Sequence, residues 1–240
     1  MTGPVHAVGL IGGHRTTLAD SCLVRNDWIC PEYVSSRSQE ITDALSAHVT
    51  ITVVSVLIGA VAALPLALLA REVTVLRPFV LGTATAVYTI PSLALFSLLL
   101  PFTGLSRTTV VLGLVLYSLT ILVRTVLAGL EGVPEEVRDA ALGMGYSRLG
   151  LLWRVELPLA LPVAFSGLRV ATVSTVALAT VGTVVGNGGL GNLINSGLAS
   201  NFKAEVLTAS VLCVVLAVAF DLLLLGAQRL STPWRRGVAA

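Results

Sequence analysis

Few side chains in this sequence could do chemistry, and they fall in a handful of places. The three histidines, His6, His14 and His48, all precede or begin the first long apolar run. The rest of the chain therefore offers no Ser-His or Cys-His pair and no cluster of metal ligands, so no catalytic or metal site is expected. Residues 138–158, RDAALGMGYSRLGLLWRVELP, gather Arg138, Asp139, Arg148, Arg154 and Glu156 between stretches with almost no charge. The run GNGGLG, Gly186 to Gly191, satisfies the G-x-G-x-x-G pattern that cradles a pyrophosphate. That pattern serves a dinucleotide only at a strand–turn–helix junction, whereas about 24 apolar residues precede it here, roughly what crosses a bilayer. Gly186, Gly188, Gly189 and Gly191 are read instead as a tight re-entrant turn forming an external gate loop.

The elements that must carry these residues follow from composition. Of 240 residues 55% are hydrophobic and 12% charged, with a mean hydropathy of +0.90, which is the balance of a membrane protein. Five apolar runs are long enough to cross a bilayer as helices: His48 to Ala70, Phe79 to Leu100, Thr108 to Leu130, Pro162 to Val185 and Val206 to Gln228. They are continuous rather than alternating, which favours an all-α membrane fold over a barrel. The first two hold no charge, and the others hold Arg124, Arg169 and Asp221.

Short cytoplasmic loops collect Lys and Arg. With the N-terminus outside and the C-terminus inside, the inner segments hold Arg71, Arg77, Arg138, Arg148, Arg154, Arg229, Arg235 and Arg236, against Arg107 and Lys203 in the short outer loops. The charged block is then cytoplasmic, between the third and fourth spans. Organisation is expected as an external segment over 1–47, a multi-pass domain in membrane lipid over 48–230 and a cytoplasmic tail over 231–240. The external segment also carries Arg15, Arg25 and Arg37 among five acidic residues; without a basic start and apolar centre it does not read as a cleaved signal. A net charge of +2 gives no argument for nucleic acid.

Smaller expectations attach to particular residues. Cys22 and Cys30 lie outside, where they either form a disulfide or remain two thiols; Cys213 is a small apolar side chain. Ile41, Leu45 and Val49 suit a short amphipathic helix over 39–49 lying on the surface before the first span. Pro65 and Pro91 fall inside spans as kinks or as irregularities without mechanical role. Arg169, seven residues past Pro162, and Asp221, seven before Gln228, should lie at one depth and pair, since unpaired ions there cost a few kcal/mol. Arg124 is close enough to the inner surface to snorkel. Tyr88 and Tyr117 either line a path for a cationic solute through cation–π contacts or pack the core.

The charged block reads as two short helices. Pro134, Glu135 and Glu136 open the first, Gly143 or Gly145 ends it, Ser147 caps the second, and Pro158 stops that one at Leu157. Val137, Ala140, Ala141 and Met144 share one face of the first helix. It either packs against its own bundle or lies across a groove on another protein. The spacing Asp139-Ala140-Ala141, three residues, Gly145, nine residues, Val155-Glu156-Leu157-Pro158 resembles the EAA loop of binding-protein-dependent ABC importer permeases. That loop runs Glu-Ala-Ala, three residues, Gly, nine residues, Ile-x-Leu-Pro; Asp139 stands for the glutamate and Val155 for the isoleucine. TIPSLALFSLLLP (89–101), LYSLTILVRTVLAGLEGVP (116–134) and VVGNGGLGNLINSGL (184–198) are similar to segments of the glycine betaine, carnitine and choline branch.

The resemblance covers about residues 40 to 230. It implies the ABC importer permease fold, with Asp139, Ala140, Ala141, Gly145, Leu157 and Pro158 in a coupling helix that docks on a cytoplasmic ABC ATPase dimer. It further implies a second permease copy or paralogue, an external solute-binding protein, and transport of osmoprotectant quaternary amines across the plasma membrane. Methionine or another small solute is the alternative within the same plan. No G-x-x-x-x-G-K-[ST] loop occurs, so ATP and Mg are expected on the partner and no cofactor on this chain. A membrane enzyme is disfavoured by the placement of the histidines, and a plain membrane anchor by the block's spacing.

Overall fold

The computed structural model describes residues 21–234; His6, His14, Arg15, Arg235 and Arg236 lie outside the described residues. Two short helices, α1 (Cys22–Arg25) and α2 (Pro31–Ser36), lead into α3 (Ser38–Glu72), a single helix of 35 residues. After it come α4 (Arg77–Thr89), α5 (Ser92–Thr103), α6 (Arg107–Glu131), α7 (Glu135–Gly143) and α8 (Arg148–Leu151). A π-turn (Leu152–Glu156) joins α8 to α9 (Leu157–Ala179), and a 3₁₀ segment (Thr180–Val185) leads to α10 (Leu190–Ala199) and α11 (Lys203–Ser231).

Among the described residues four continuous helical runs are long and apolar enough to cross a membrane: α3, α6, Arg148–Val185 and α11. The pair α4 and α5 makes a fifth if counted as one broken span. Small residues set the packing. Ala63, Ala67 and Ala70 of α3 meet Leu122, Val123 and Leu127 of α6 and Ala171 of α9 in one buried cluster. Gly129 of α6 sits against Ala160, and Gly167 of α9 against Thr125, so α6 and α9 approach closely over several turns. α11 is the most exposed span, with Val211, Val214, Val218, Leu222 and Leu223 turned outward. The bundle has two distinct ends: one bears α7, Arg71, Arg77 and Arg148, and the other bears the glycine loop, Arg107 and Lys203.

Three expectations are corrected. Residues 39–49 are the first turns of α3 and not a surface helix of their own. Ile41 is buried in one cluster with Leu190 and Leu193 of α10, and Ala44 and Leu45 pack against it, so neighbouring helices cover that apolar face. No glycine or proline separates this stretch from the span, and the helix simply continues.

The second span is not one helix with a kink, because α4 and α5 meet at 102°. Ile90 is extended (φ −69°, ψ 127°), as a residue before proline prefers, and Pro91 has no N–H to continue the ladder. The Ile90 N–H turns back to the Val87 carbonyl that Pro91 cannot reach, and the Tyr117 hydroxyl donates to the Ile90 carbonyl and fixes the break. By contrast Pro65 lies inside an unbroken α3. Finally, Pro158 does not stop a helix at Leu157, for the chain stays helical from Arg148 to Val185. The π-turn widens the helix just ahead of the ring, where an α-turn would set the Arg154 carbonyl against it.

Candidate coupling and gating sites

At the α7 end, local sequence produces the expected short helix. Pro134 is its N-cap, Glu135 and Glu136 occupy the first turn, and Gly143 is the last helical residue. Gly145 adopts a left-handed conformation (φ 87°), while the Tyr146 N–H returns 3.2 Å to the Ala141 carbonyl. A side chain at Gly145 would touch nothing within 4 Å, so glycine is required there by backbone geometry and not by space. The Ser147 hydroxyl accepts from the Gly150 N–H and caps α8. Of the apolar face of the first helix only Ala141 is buried, while Val137, Ala140 and Met144 are exposed; Asp139, Leu142, Leu149 and Trp153 also lie open nearby. Leu157 and Pro158 are half-buried where α9 begins.

Sequence reasoning missed what holds this block. Glu156 is 3% exposed and sits at the end of the π-turn. Arg71, the penultimate residue of α3, donates to both of its oxygens, at 2.8 and 2.5 Å. Arg138 of α7 places Nε 2.9 Å from Glu156 Oε1 and donates through Nη2 to the Leu130 carbonyl at the end of α6, at 2.6 Å. One carboxylate thus ties together α3, α7 and the start of α9, with the end of α6 attached through Arg138. A cleft of about 580 Å³ opens beside it, lined by Arg71, Asp139, Arg148, Leu149 and Glu156 among others. The available signal was Glu156 itself, a lone carboxylate between Val155 and Leu157 in a basic stretch.

At the opposite end the glycine loop works through close approach. Gly186 (φ 75°) closes the 3₁₀ segment and Gly189 (φ 56°) opens α10. A Cβ at Gly189 would lie 2.7 Å from the His48 Cβ, and one at Gly191 would lie 2.2 Å from the Thr180 carbonyl oxygen. Gly188 is equally crowded, against the Thr183 backbone. No strand precedes the loop among the described residues, so a dinucleotide turn has no scaffold here.

His48 is fully buried; its Nδ1 accepts from the Leu190 N–H at 3.3 Å and its Nε2 lies 3.1 Å from the Val176 carbonyl. This pairing requires the neutral Nε2–H tautomer, joining α3, α9 and α10. The sequence reading dismissed His48 for want of a catalytic partner and missed its structural use. A cleft of about 400 Å³ beside the loop is lined by Glu40, Asp43, Arg107, Asn187 and Asn192 among others.

Arg169 and Asp221 come together: Nε donates to Oδ1 at 2.8 Å and Nη2 to Oδ2 at 2.7 Å. Gln228 reaches the Pro162 carbonyl at 3.0 Å, which sets α9 and α11 in that register. Tyr88 and Tyr117 meet edge to face at 5.9 Å, with Tyr117 buried and Tyr88 half exposed. Arg124 does not run to the helix end; it donates to the Thr85 hydroxyl of α4.

Cys22 and Cys30 are joined by a disulfide, while Cys213 is a half-buried free thiol. The bridged segment is fastened to the α10–α11 turn. The Asn26 amide donates to the Asn201 carbonyl at 2.7 Å and its oxygen accepts from the Lys203 N–H at 2.8 Å, with Tyr33 stacked edge-on against Phe202. Burial, then the charges of Glu205 and Glu40, push the Tyr33 phenol up to about 12, so it stays neutral.

Comparison with known proteins accounts for this arrangement. The family model described as the binding-protein-dependent transport system inner membrane component matches residues 51–237. The choline transport system permease protein OpuBD of Bacillus subtilis (strain 168) is 33% identical over 205 residues, 85% of this chain and 91% of the relative. The glycine betaine/carnitine/choline permease protein OpuCD of the same organism is 32% identical, covering 85% and 90%. In three dimensions the chain is similar to an inward-facing structure of the MetNI methionine ABC transporter, with a TM-score of 0.73 at 21% identity over 85% of this chain and all of that one. The five apolar segments, the short helix with its left-handed glycine and the family match together make this chain a member of the binding-protein-dependent transport system inner membrane components, a multi-pass permease subunit of an ABC transporter.

Proposed function

We propose that this permease moves osmoprotectant quaternary amines, such as glycine betaine, carnitine and choline, inward at the expense of ATP hydrolysed on a separate ABC ATPase pair. The solute class is supported by the relatives named for choline, carnitine and glycine betaine, each of which this chain matches over most of its length. A methionine substrate has only the shared fold behind it.

The observation that carries the ATPase contact is the outward apolar face of α7–α8. Val137 on α7, a nine-residue helix too short to span a membrane, stands exposed beside Asp139, and Met144 at its C-cap, Leu149 of α8 and Trp153 of the π-turn are exposed after it. This is the chemistry of a helix laid into another protein's groove. The clustering of Arg71, Arg77, Arg138, Arg148 and Arg154 at that end supports a cytoplasmic placement, which would put the glycine loop and the disulfide outside, toward a solute-binding protein. A second permease copy or paralogue would complete the pathway. Closure of the ATPases would then draw α7 with it, and the Glu156 clamp would pass that movement to α3 and α9.

The test is reconstitution. The permease, its ATPase and its binding protein in proteoliposomes should take up labelled glycine betaine, carnitine or choline only with ATP inside, and methionine should not compete. Asp139→Arg and Gly145→Asp should each lose the co-purifying ATPase; retention of a fully coupled ATPase in both variants refutes the docking role of α7.

A further inference from the structure

Two arginines sit at about the same depth, since Gly167 and Leu168 of α9 lie level with Thr125 of α6 through the Gly167–Thr125 contact. Arg169 is neutralised by Asp221 in a bidentate pair. Arg124, on the adjacent helix, meets no carboxylate among the described residues; its one protein partner is the Thr85 hydroxyl. Glu131 closes α6 seven residues later, which puts Arg124 about 10 Å inside that end. A guanidinium left without a counter-ion at that depth costs several kcal/mol against lipid, so its surroundings must be wet or must receive an anion.

Its surroundings have the form of a binding cleft. Thr85, Tyr88, Thr120, Ile121, Arg124 and Thr125 line a hollow of about 320 Å³ on the face where α4 meets α6, just ahead of the 102° break. That volume is at the lower end for small-molecule sites. The Thr85, Thr120 and Thr125 hydroxyls donate to carbonyls of helical residues, so the remaining guanidinium N–H groups and the part of the half-exposed Tyr88 ring not packed on Tyr117 are what the cleft offers a ligand. A guanidinium takes a carboxylate by charge-assisted hydrogen bonds, and an aromatic ring takes a quaternary ammonium.

We infer that this cleft is a transit site for a zwitterion, with Arg124 holding the solute's carboxylate and Tyr88 facing its quaternary ammonium. The inference rests on the quaternary-amine reading and narrows it: a solute with the cation alone, such as choline, meets only like charge at Arg124 and gains nothing from the site.

The complete importer in proteoliposomes, with its binding protein saturated by each solute in turn, separates the possibilities. Glycine betaine and choline share the trimethylammonium and differ in the carboxylate. Arg124→Gln should slow glycine betaine uptake at least tenfold while choline uptake holds or rises, and Arg124→Lys should restore most of the betaine rate. Thr85→Asp, which supplies Arg124 with a carboxylate from within the chain, should reproduce the Arg124→Gln pattern and provides a second route if that variant assembles poorly. An unchanged betaine-to-choline ratio in both Arg124→Gln and Thr85→Asp overturns the inference and leaves the proposed function standing. A wild-type importer that moves neither solute overturns the quaternary-amine reading and this inference with it.

Discussion

Helix α3 is held at its two ends by opposite means. Near Glu72 the fastening is ionic, with Arg71 and Arg138 converging on the buried Glu156. Toward the Ser38 end it is steric, with Gly189 drawn against His48 and two hydrogen bonds to a neutral ring. Separating the first joint would strand buried charges, at several kcal/mol. Parting the second uncovers one imidazole and the Ile41 contacts with Leu190 and Leu193 but strands no charge, each hydrogen bond being worth about 1 kcal/mol net. The bundle should therefore move as a unit at the α7 end and loosen at the glycine-loop end.

The largest test of that contrast is Glu156→Gln. It leaves two arginines facing a neutral amide and should cost about 3–5 kcal/mol, seen as a fall in thermal stability in detergent and loss of the co-purifying ATPase. Part of that loss should return when Arg71→Gln is added. Stability equal to wild type in Glu156→Gln would break the contrast.

Gly189→Ala comes next. Its Cβ meets His48 at 2.7 Å and its backbone is left-handed, so about 1–3 kcal/mol is expected. Hydrogen exchange should quicken in α10 and the first turns of α3 while α7 is unchanged. An equal response in α7 would mean that the two joints are not independent.

The smallest effect belongs to Gly145→Ala. With nothing within 4 Å, it carries only the left-handed backbone penalty, about 1–2 kcal/mol. Gly145→Asn should cost less, since asparagine tolerates that conformation. Thermal melts of the two variants sharpen the distinction between a glycine needed for its backbone, as here, and one needed also for space, as at Gly189.

Much of this was legible in the sequence. Continuous apolar runs located the spans, and matched distances from Pro162 and Gln228 set Arg169 and Asp221 at one depth. The Asp139-Ala140-Ala141 to Gly145 to Leu157-Pro158 spacing marked the short helix. Less legible were features fixed by contacts distant in sequence. Glu156 pairs with a residue 85 positions away, and nothing local separates such a carboxylate from an ordinary loop charge. His48 takes its meaning from Leu190 and Val176. At Pro91 and Pro158 one residue type led to opposite results, a 102° break and an unbroken helix. The difference lay in whether a neighbouring hydroxyl held the Ile90 carbonyl at the break or a π-turn accommodated the ring.

The length of α3 has a mechanical consequence. Thirty-five residues make a rod of about 52 Å, some 20 Å more than the hydrocarbon thickness. Its clamped end sits beside α7, and its far end carries α2 and the disulfide-closed segment against the α10–α11 turn. If the clamp acts as a fulcrum, a tilt of about 5° there swings the Ser38 end through roughly 4–5 Å. A movement small enough to pass through one buried carboxylate would thus be geared up to the width of a small solute at the opposite mouth.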